Sequence, residues 1–568
     1  MQVPTESSLP LLSTPLFQSK GYEAASYETL ERSYYRAREI GRHHGLTIDD
    51  ILSLTPKFWK SHMDAIIIRD IVAHILFSIQ YNLVAGTIAP YTLKRPDLRP
   101  VMEKILNFDV SACFMLNEVD HGCDAKNLET TATLQSDGSF VLHSPTPGAA
   151  KFMPPSMPIA GMPRIALVFA RLMIEGDDRG IRPFIVGLGD GKEMCTGVMT
   201  TLLPPIACGR TLDHSITSFN KVRLPSTAML GSHRKPDDMR TQFLMAINRL
   251  GFGTLSLSLS AIPGLKCAVL IAGKYNLRRM VHGPEGSPKP IISFRTQQLP
   301  ILHALAESAV VEPFANWITT KFSDTSLDFS VRHGLAVIFK GAVLQYTQKS
   351  FADLVERCGA QGVFIHNQLV EMEALNRCNG IAEGEISVLC IRLATEILIG
   401  RYEIPNAIKP NSLIAKHEEG YIAELKKLLG TIEEGHRSEA YNSRMLPHCR
   451  SLILAIGHRM AYEAAVHMGV DPDLLALFEA GVIKTDSSWY VEDLGLSRAD
   501  QFEMESKAAD ALVPRVGELL NGLGTVEPYT TAPILSAERW ETFVAGCETI
   551  EGDASCDIID KEDMRAKL

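Results

Sequence analysis

Glu383 stands in the stretch Ile381-Ala382-Glu383-Gly384-Glu385, an acid followed directly by a glycine. A carboxylate can serve as a general base, provided it is desolvated enough for its pKa to rise toward neutrality. Gly384 directly after it leaves bare backbone, so a substrate could approach closely. The competing reading is an ordinary acid at a helix start, where the helix dipole favours carboxylates. Glu385 is the fallback base. A second group, Tyr275, Arg279 and His282, has i, i+4, i+7 spacing, which predicts one shared helix face. Arg279 suits an anionic group through its forked guanidinium. A third group begins at Asn117, whose amide both donates and accepts, and continues through Gly122 and Cys123 to Asp124.

These residues must be positioned by several elements. A chain of 568 residues is too long for one core, and 46% hydrophobic with 21% charged residues is the balance of an ordinary globular protein. A net charge of −10 argues against nucleic acid as the main partner. The 11 cysteines include no CxxC pair, which reads as free thiols in a reducing compartment. Metal-ligand spacing and a G-x-S-x-G elbow are absent from the sequence. Residues 1–109 are read as an N-terminal helical domain and 110–232 as a β-domain, 233–405 as a helical bundle and 406–545 as a second helical domain. Residues 546–568 form an acidic tail. The fold class is therefore α+β. The surest local signal is a hairpin, TATLQ-SDGS-FVLHS, turning at Ser136, Asp137 and Gly138. The apolar run from Leu250 to Tyr275 is broken by Pro263, Lys266 and several glycines, so it reads as a core helix and no membrane span is expected. Gly187 to Gly191 is a β-domain loop, since no long helix follows it. The pair His43-His44 is expected on a solvated helix C-terminal turn, and the first residues lack the basic region of a secretory signal.

The stretch NEVDHGCDAKNLETTA, residues 117–132, resembles the T-E-x-x-H-G-S-N and L-E-T-T-A run of the acyl-CoA oxidases and dehydrogenases. The order helices, β-domain, helices is similar to that family, and the second helical domain resembles its oxidase branch. This resemblance implies an FAD-dependent enzyme that desaturates an acyl thioester, passing a hydride to the flavin and then electrons to oxygen, with hydrogen peroxide as product. Cys358-Gly359-Ala360-Gln361-Gly362 resembles the family's C-G-G-H-G turn, and on that alignment Glu383 is the catalytic base. The resemblance further implies FAD contacts from Asn117, Gly122, Cys123, Ser156, Arg279, Gln297 and Gln298. Arg279 would hold the pyrophosphate of FAD in a neighbouring subunit, which implies a homodimer. The strand from Cys208-Gly209-Arg210 to Pro225 also follows the family pattern, with Phe219, Val222 and Pro225 structural and Arg223 a surface residue. The ending Ala566-Lys567-Leu568 is a close variant of the peroxisomal address, implying an import receptor as partner and the peroxisome as location.

The chain departs from the family at three flavin positions. Asn117 replaces a threonine, Cys123 a serine, and Lys151-Phe152-Met153-Pro154-Pro155-Ser156 lacks the two glycines of the tract it resembles. Two other readings stand beside this one, the first supported by Asn117, Pro155 and Ser156. One is a catalytically silent, CoA-ester-binding subunit of a hetero-oligomer. The other is a dehydrogenase with a different electron acceptor, against which the second helical domain counts.

Overall fold

In a computed structural model, residues 7–18, 27–206, 212–283 and 286–553 are described. Cys208, Gly209, Arg210 and the ending Ala566-Lys567-Leu568 lie outside these residues. The architecture is α+β, with helices before and after a block of strands that are, in chain order, β1 Ser111–Met115, β2 Thr131–Leu134, β3 Phe140–His143, β4 Lys151–Pro155, β5 Arg164–Ile174, β6 Asp177–Gly189, β7 Val198–Leu202, β8 His214–Phe219 and β9 Val222–Leu224.

The long strand β5 organises the larger sheet. Strands β1 and β2 pair parallel to successive parts of β5, at Arg164–Val168 and at Arg171–Met173, while β6 pairs antiparallel along nearly all of it. Residues 116–130 therefore leave the sheet in the gap between β1 and β2, which puts Asn117, Gly122 and Cys123 on its edge. The sheet continues through the expected hairpin, β2 with β3, to β9. Gly138 takes φ 83° at the turn, and the amide of Ser139 donates to Asp137 Oδ1 at 3.0 Å. A second sheet, β4-β8-β7, is antiparallel. Its burial alternates along β8, with Ser215, Thr217 and Phe219 inward and His214, Ile216 and Ser218 outward.

The helices share one large apolar cluster, running from Phe17 through Leu270 and Phe339 to Leu535. The larger sheet has its own, around Phe140, Val168, Phe184 and Leu188. Helix Phe329–Arg357 lies at the centre of the helical part, packed by helices Arg249–Leu259, Arg295–Ser323, Leu369–Ile381 and Leu446–His467. The stretches Ile71–Thr92 and Met239–Arg278 are long and apolar enough to cross a bilayer, but 89% and 94% of their apolar windows are buried inside the protein. Their composition is accounted for by the core.

Helix Ile71–Ser78 widens into a π-helical stretch at Ile79–Ala85. Two local readings are corrected. Helix Ala261–Arg278 ends before Arg279, and Met280–His282 is a short strand paired with Pro288–Pro290, so Tyr275 and His282 do not share a helix face. The chain turns extended there because the hairpin through Gly286, at φ 76°, captures it, and the amide of Ile291 donates to Arg279 O at 2.8 Å. His44 is not solvated: its side chain is 8% exposed, lies against the Phe77 ring and stands 3.6 Å from Asp64, and burial lowers its pKa to about 4.

Candidate active site

Glu383 lies in the short link between helices Leu369–Ile381 and Ile386–Leu398. Its φ is 50°, a left-handed conformation uncommon for a residue with a side chain, and Gly384 follows at φ 100°. Such backbone persists only where the surroundings over-determine it. Here three consecutive carbonyls are each held by a side chain. Lys340 Nζ donates to Ala382 O at 2.6 Å and to Gly384 O at 2.8 Å. Thr254 Oγ1 donates to Glu383 O at 3.0 Å. Glu385 is spoken for: it is the N-cap of Ile386–Leu398, accepting from the Val388 amide at 2.9 Å. Burial pushes its pKa up, but hydrogen bonds from Ser387 and Val388 outweigh this and hold it below the usual value.

The link turns the Glu383 carboxyl inward while Ile381, 67% exposed, faces solvent, so the acid sits just beneath the surface. Its one hydrogen bond comes from Asn82 Nδ2, at 3.1 Å to Oε2. Asn82 is fully buried and belongs to the π-helical stretch, a wide turn often found at functional sites. Room for the carboxyl is made by Gly253, where a Cβ would fall 1.1 Å from Glu383 Oε2. Arg249 completes the surroundings. Its Nε donates to Asn82 O at 2.8 Å, and its guanidinium lies over the rings of Phe252 and Phe58, at 4.3 and 5.2 Å from their centroids. Gly86 leaves the space Arg249 occupies, since a Cβ there would meet Nε at 2.0 Å.

Burial dominates the electrostatics. It raises the Glu383 pKa to about 8, against the opposing pull of Lys340, Arg249 and the Asn82 hydrogen bond. Burial likewise lowers Lys340 to about 8 and Arg249 to about 9, with Glu383 opposing in both cases. The guanidinium remains charged at neutral pH. Asn82 Oδ1 and Arg249 Nη2 are buried without hydrogen-bond partners among the described residues. A carboxyl poised near neutrality, with unspent donors and acceptors around it, is suited to moving a proton.

The other expected residues fall on two patches. Asn117 is exposed at the sheet edge, and its carbonyl accepts from the Phe152 amide at 3.0 Å. Gly122 and Cys123 are exposed beside it. Phe152, 42% exposed, and Met199, 66% exposed, lie with Ile216 on the open face of the sheet β4-β8-β7. Ser156 points the other way: its Oγ lies 2.7 Å from both Thr200 Oγ1 and Thr217 Oγ1, fully buried. On the second patch Arg279 is exposed, and its guanidinium has no partner among the described residues. Gln297 and Gln298 lie in the first turn of helix Arg295–Ser323, and Gln297 Oε1 is buried without a partner. Sequence reasoning missed Asn82, Arg249, Thr254 and Lys340. The cations carried a signal, since Lys340 is a lone charge in the apolar run Gly334 to Leu344.

No protein-family model matches the chain. The chain is 27% identical over 413 residues to human peroxisomal acyl-coenzyme A oxidase 3, covering 68% of this chain and 58% of that protein. It is 26% identical over 374 residues to peroxisomal acyl-coenzyme A oxidase 2 of Arabidopsis thaliana, covering 60% of this chain and 53% of that one. The matched part is thus little more than half of these relatives' length. Among solved structures, acyl-CoA oxidase 1 of Yarrowia lipolytica superposes with a TM-score of 0.80 at 18% identity, covering 98% of this chain and 91% of that one. Acyl-CoA oxidase-1 of Caenorhabditis elegans, complexed with FAD and ATP, superposes at 0.69 and 16% identity, covering 100% and 99%. The fold is that of the acyl-CoA oxidases. By sequence and by fold the chain is similar to the acyl-CoA oxidases.

Proposed function

We propose that this protein is an FAD-dependent acyl-CoA oxidase-like enzyme with Glu383 as its base. The observation that carries this reading is the Glu383 carboxyl itself, buried, held by a single hydrogen bond and kept near neutrality on a backbone clamped at three carbonyls. In the reaction, the carboxylate takes the α-proton of an acyl thioester, the β-hydrogen leaves as hydride, and a double bond forms between the two carbons. Bound FAD would supply the hydride acceptor and the route by which electrons reach oxygen to give hydrogen peroxide. Arg249 and Lys340 keep a share of Glu383 ionised, against the burial that raises its pKa.

The residues present fit the cofactor. The open face with Phe152, Met199 and Ile216 offers an apolar surface to a planar ring, and the exposed amide of Asn117 lies at its edge. Gly122 and Cys123, next along that edge, leave room for the ligand. Arg279 offers an exposed guanidinium to a pyrophosphate, and Gln297, whose Oε1 has no partner among the described residues, and Gln298 would hydrogen-bond the flavin side. Ser156 contributes through its main chain, since its hydroxyl is taken up by Thr200 and Thr217. A homodimer is supported by the exposed apolar residues Met280 and Phe294, which flank the hairpin after Arg279 in sequence. Peroxisomal location, with import through Ala566, Lys567 and Leu568, is supported by the names of the relatives and by the C-terminal residues.

The test is the absorption spectrum of the purified protein, followed during addition of a panel of acyl-CoAs under air. Flavin bands that bleach and recover with peroxide release support the reading. Failure to take up FAD when it is supplied would refute it.

A further inference from the structure

We infer that Lys340 is the positioning residue of Glu383: one ammonium ties the carbonyls on both sides of the acid and so holds it in the backbone conformation that presents its carboxyl. This rests on the reading of Glu383 as the base. Lys340 is fully buried in the central helix Phe329–Arg357. An ammonium there must be hydrogen-bonded to be tolerated, and the partners it has are Ala382 O at 2.6 Å and Gly384 O at 2.8 Å. The first fixes the peptide plane entering the Glu383 Cα and the second the plane one residue beyond the one leaving it, which Thr254 holds at Glu383 O. A residue at φ 50° has that conformation available only at a cost, and the clamp is what offsets it. Among the described residues no carboxylate meets Lys340 at contact distance: it acts on Glu383 through the main chain and through its field.

The field has a sign that can be tested. The groups bearing on Lys340 are Glu383, Glu385, Cys390 and His333, while Arg249 is the other cation facing Glu383. Arg450 acts on Glu385 and Cys390, and Arg392 on His333. Removing the Lys340 charge takes away a cation that favours ionised Glu383, so the acid must titrate at higher pH.

The experiment uses the full-length protein carrying bound FAD and two variants. Lys340→Met removes donor and charge; Lys340→Gln keeps an N–H donor and removes only the charge. The first readout is the carboxyl infrared band that disappears in Glu383→Gln, followed against pH. Its midpoint is expected to rise by about one pH unit in both variants. The second is flavin bleaching by an acyl-CoA, expected to slow about 10-fold in Lys340→Gln and further in Lys340→Met, with its acidic limb moved upward by the same interval. A midpoint and limb unchanged in folded Lys340→Gln overturn the proposal, and that variant decides the matter should Lys340→Met fail to fold. A parent protein that never bleaches refutes the oxidase reading instead, and the infrared midpoint still tests Lys340.

Discussion

Two buried lysine–glutamate sets in this protein are put to opposite uses. In the β-domain, Lys151 Nζ meets Glu118 Oε1 at 2.9 Å with both side chains fully buried. Glu118 is saturated: Thr130 N donates to Oε1 at 2.9 Å and Glu129 N to Oε2 at 2.6 Å. Lys151 also donates to Leu116 O and Phe169 O, so it ties the segment after β1 to strands β4 and β5. In the helical part, Lys340 spends its bonds on the main chain and leaves Glu383 with one neutral donor. The same two residue types thus give a closed structural pair in one place and an acid held in reserve in the other. What separates them is how many hydrogen bonds the carboxylate already has.

Exchanging the two glutamates is the strongest way to break this contrast. Glu383→Gln is expected to lower the rate of flavin bleaching by about 10²–10⁴-fold while leaving the flavin bands in place. Glu118→Gln should instead cost stability, about 3–5 kcal/mol in denaturant unfolding, because it strands the buried Lys151 charge. Equal effects of the two substitutions on both measurements would dissolve the distinction.

Gly253→Ala comes next. Its methyl group would occupy the position of Glu383 Oε2, so it should slow bleaching about 100-fold while costing about 1–3 kcal/mol of stability. Normal bleaching in that variant would show that the carboxyl works from elsewhere.

The pH dependence sharpens the contrast further. Glu383 is raised in the folded protein, so it stabilises nothing at alkaline pH: its contribution is full below the unfolded value of 4.5 and is lost as pH rises through about 8. The melting temperature of Glu383→Gln should therefore approach the parent's in acid and exceed it increasingly between pH 5 and 8. A constant offset across that window would contradict the raised pKa.

Ser156→Ala is the smallest effect expected. Losing the bonds to Thr200 and Thr217 should cost about 1 kcal/mol and leave flavin content unchanged, since the hydroxyl faces inward. Loss of flavin would place that hydroxyl at the cofactor after all.

Much of the frame was legible along the chain. Alternating runs marked β2 and β3, and Ser136-Asp137-Gly138 marked the turn between them, because both signals are local. Strand β4 was hidden by Pro154 and Pro155, which it tolerates through a register shift against β8. Strand β7, Val198–Leu202, exposes most of its length and so lacks the apolar alternation that announces a strand. The end of Ala261–Arg278 was misjudged because helical spacing persists in the residue types after the backbone has left the helix.

The sequence by itself determined the α+β order of elements and the hairpin, which depend on local pattern, and the candidacy of Glu383, which rests on its place after the Cys358–Gly362 turn that resembles the family's. Only the tertiary structure decided what kind of acid Glu383 is. Its hydrogen-bond partner Asn82 is 301 positions away and its clamp Lys340 donates across 42 and 44 positions. Burial, the cause of the raised pKa, belongs to the packing of three helices and a π-helical turn, and no single segment carries it.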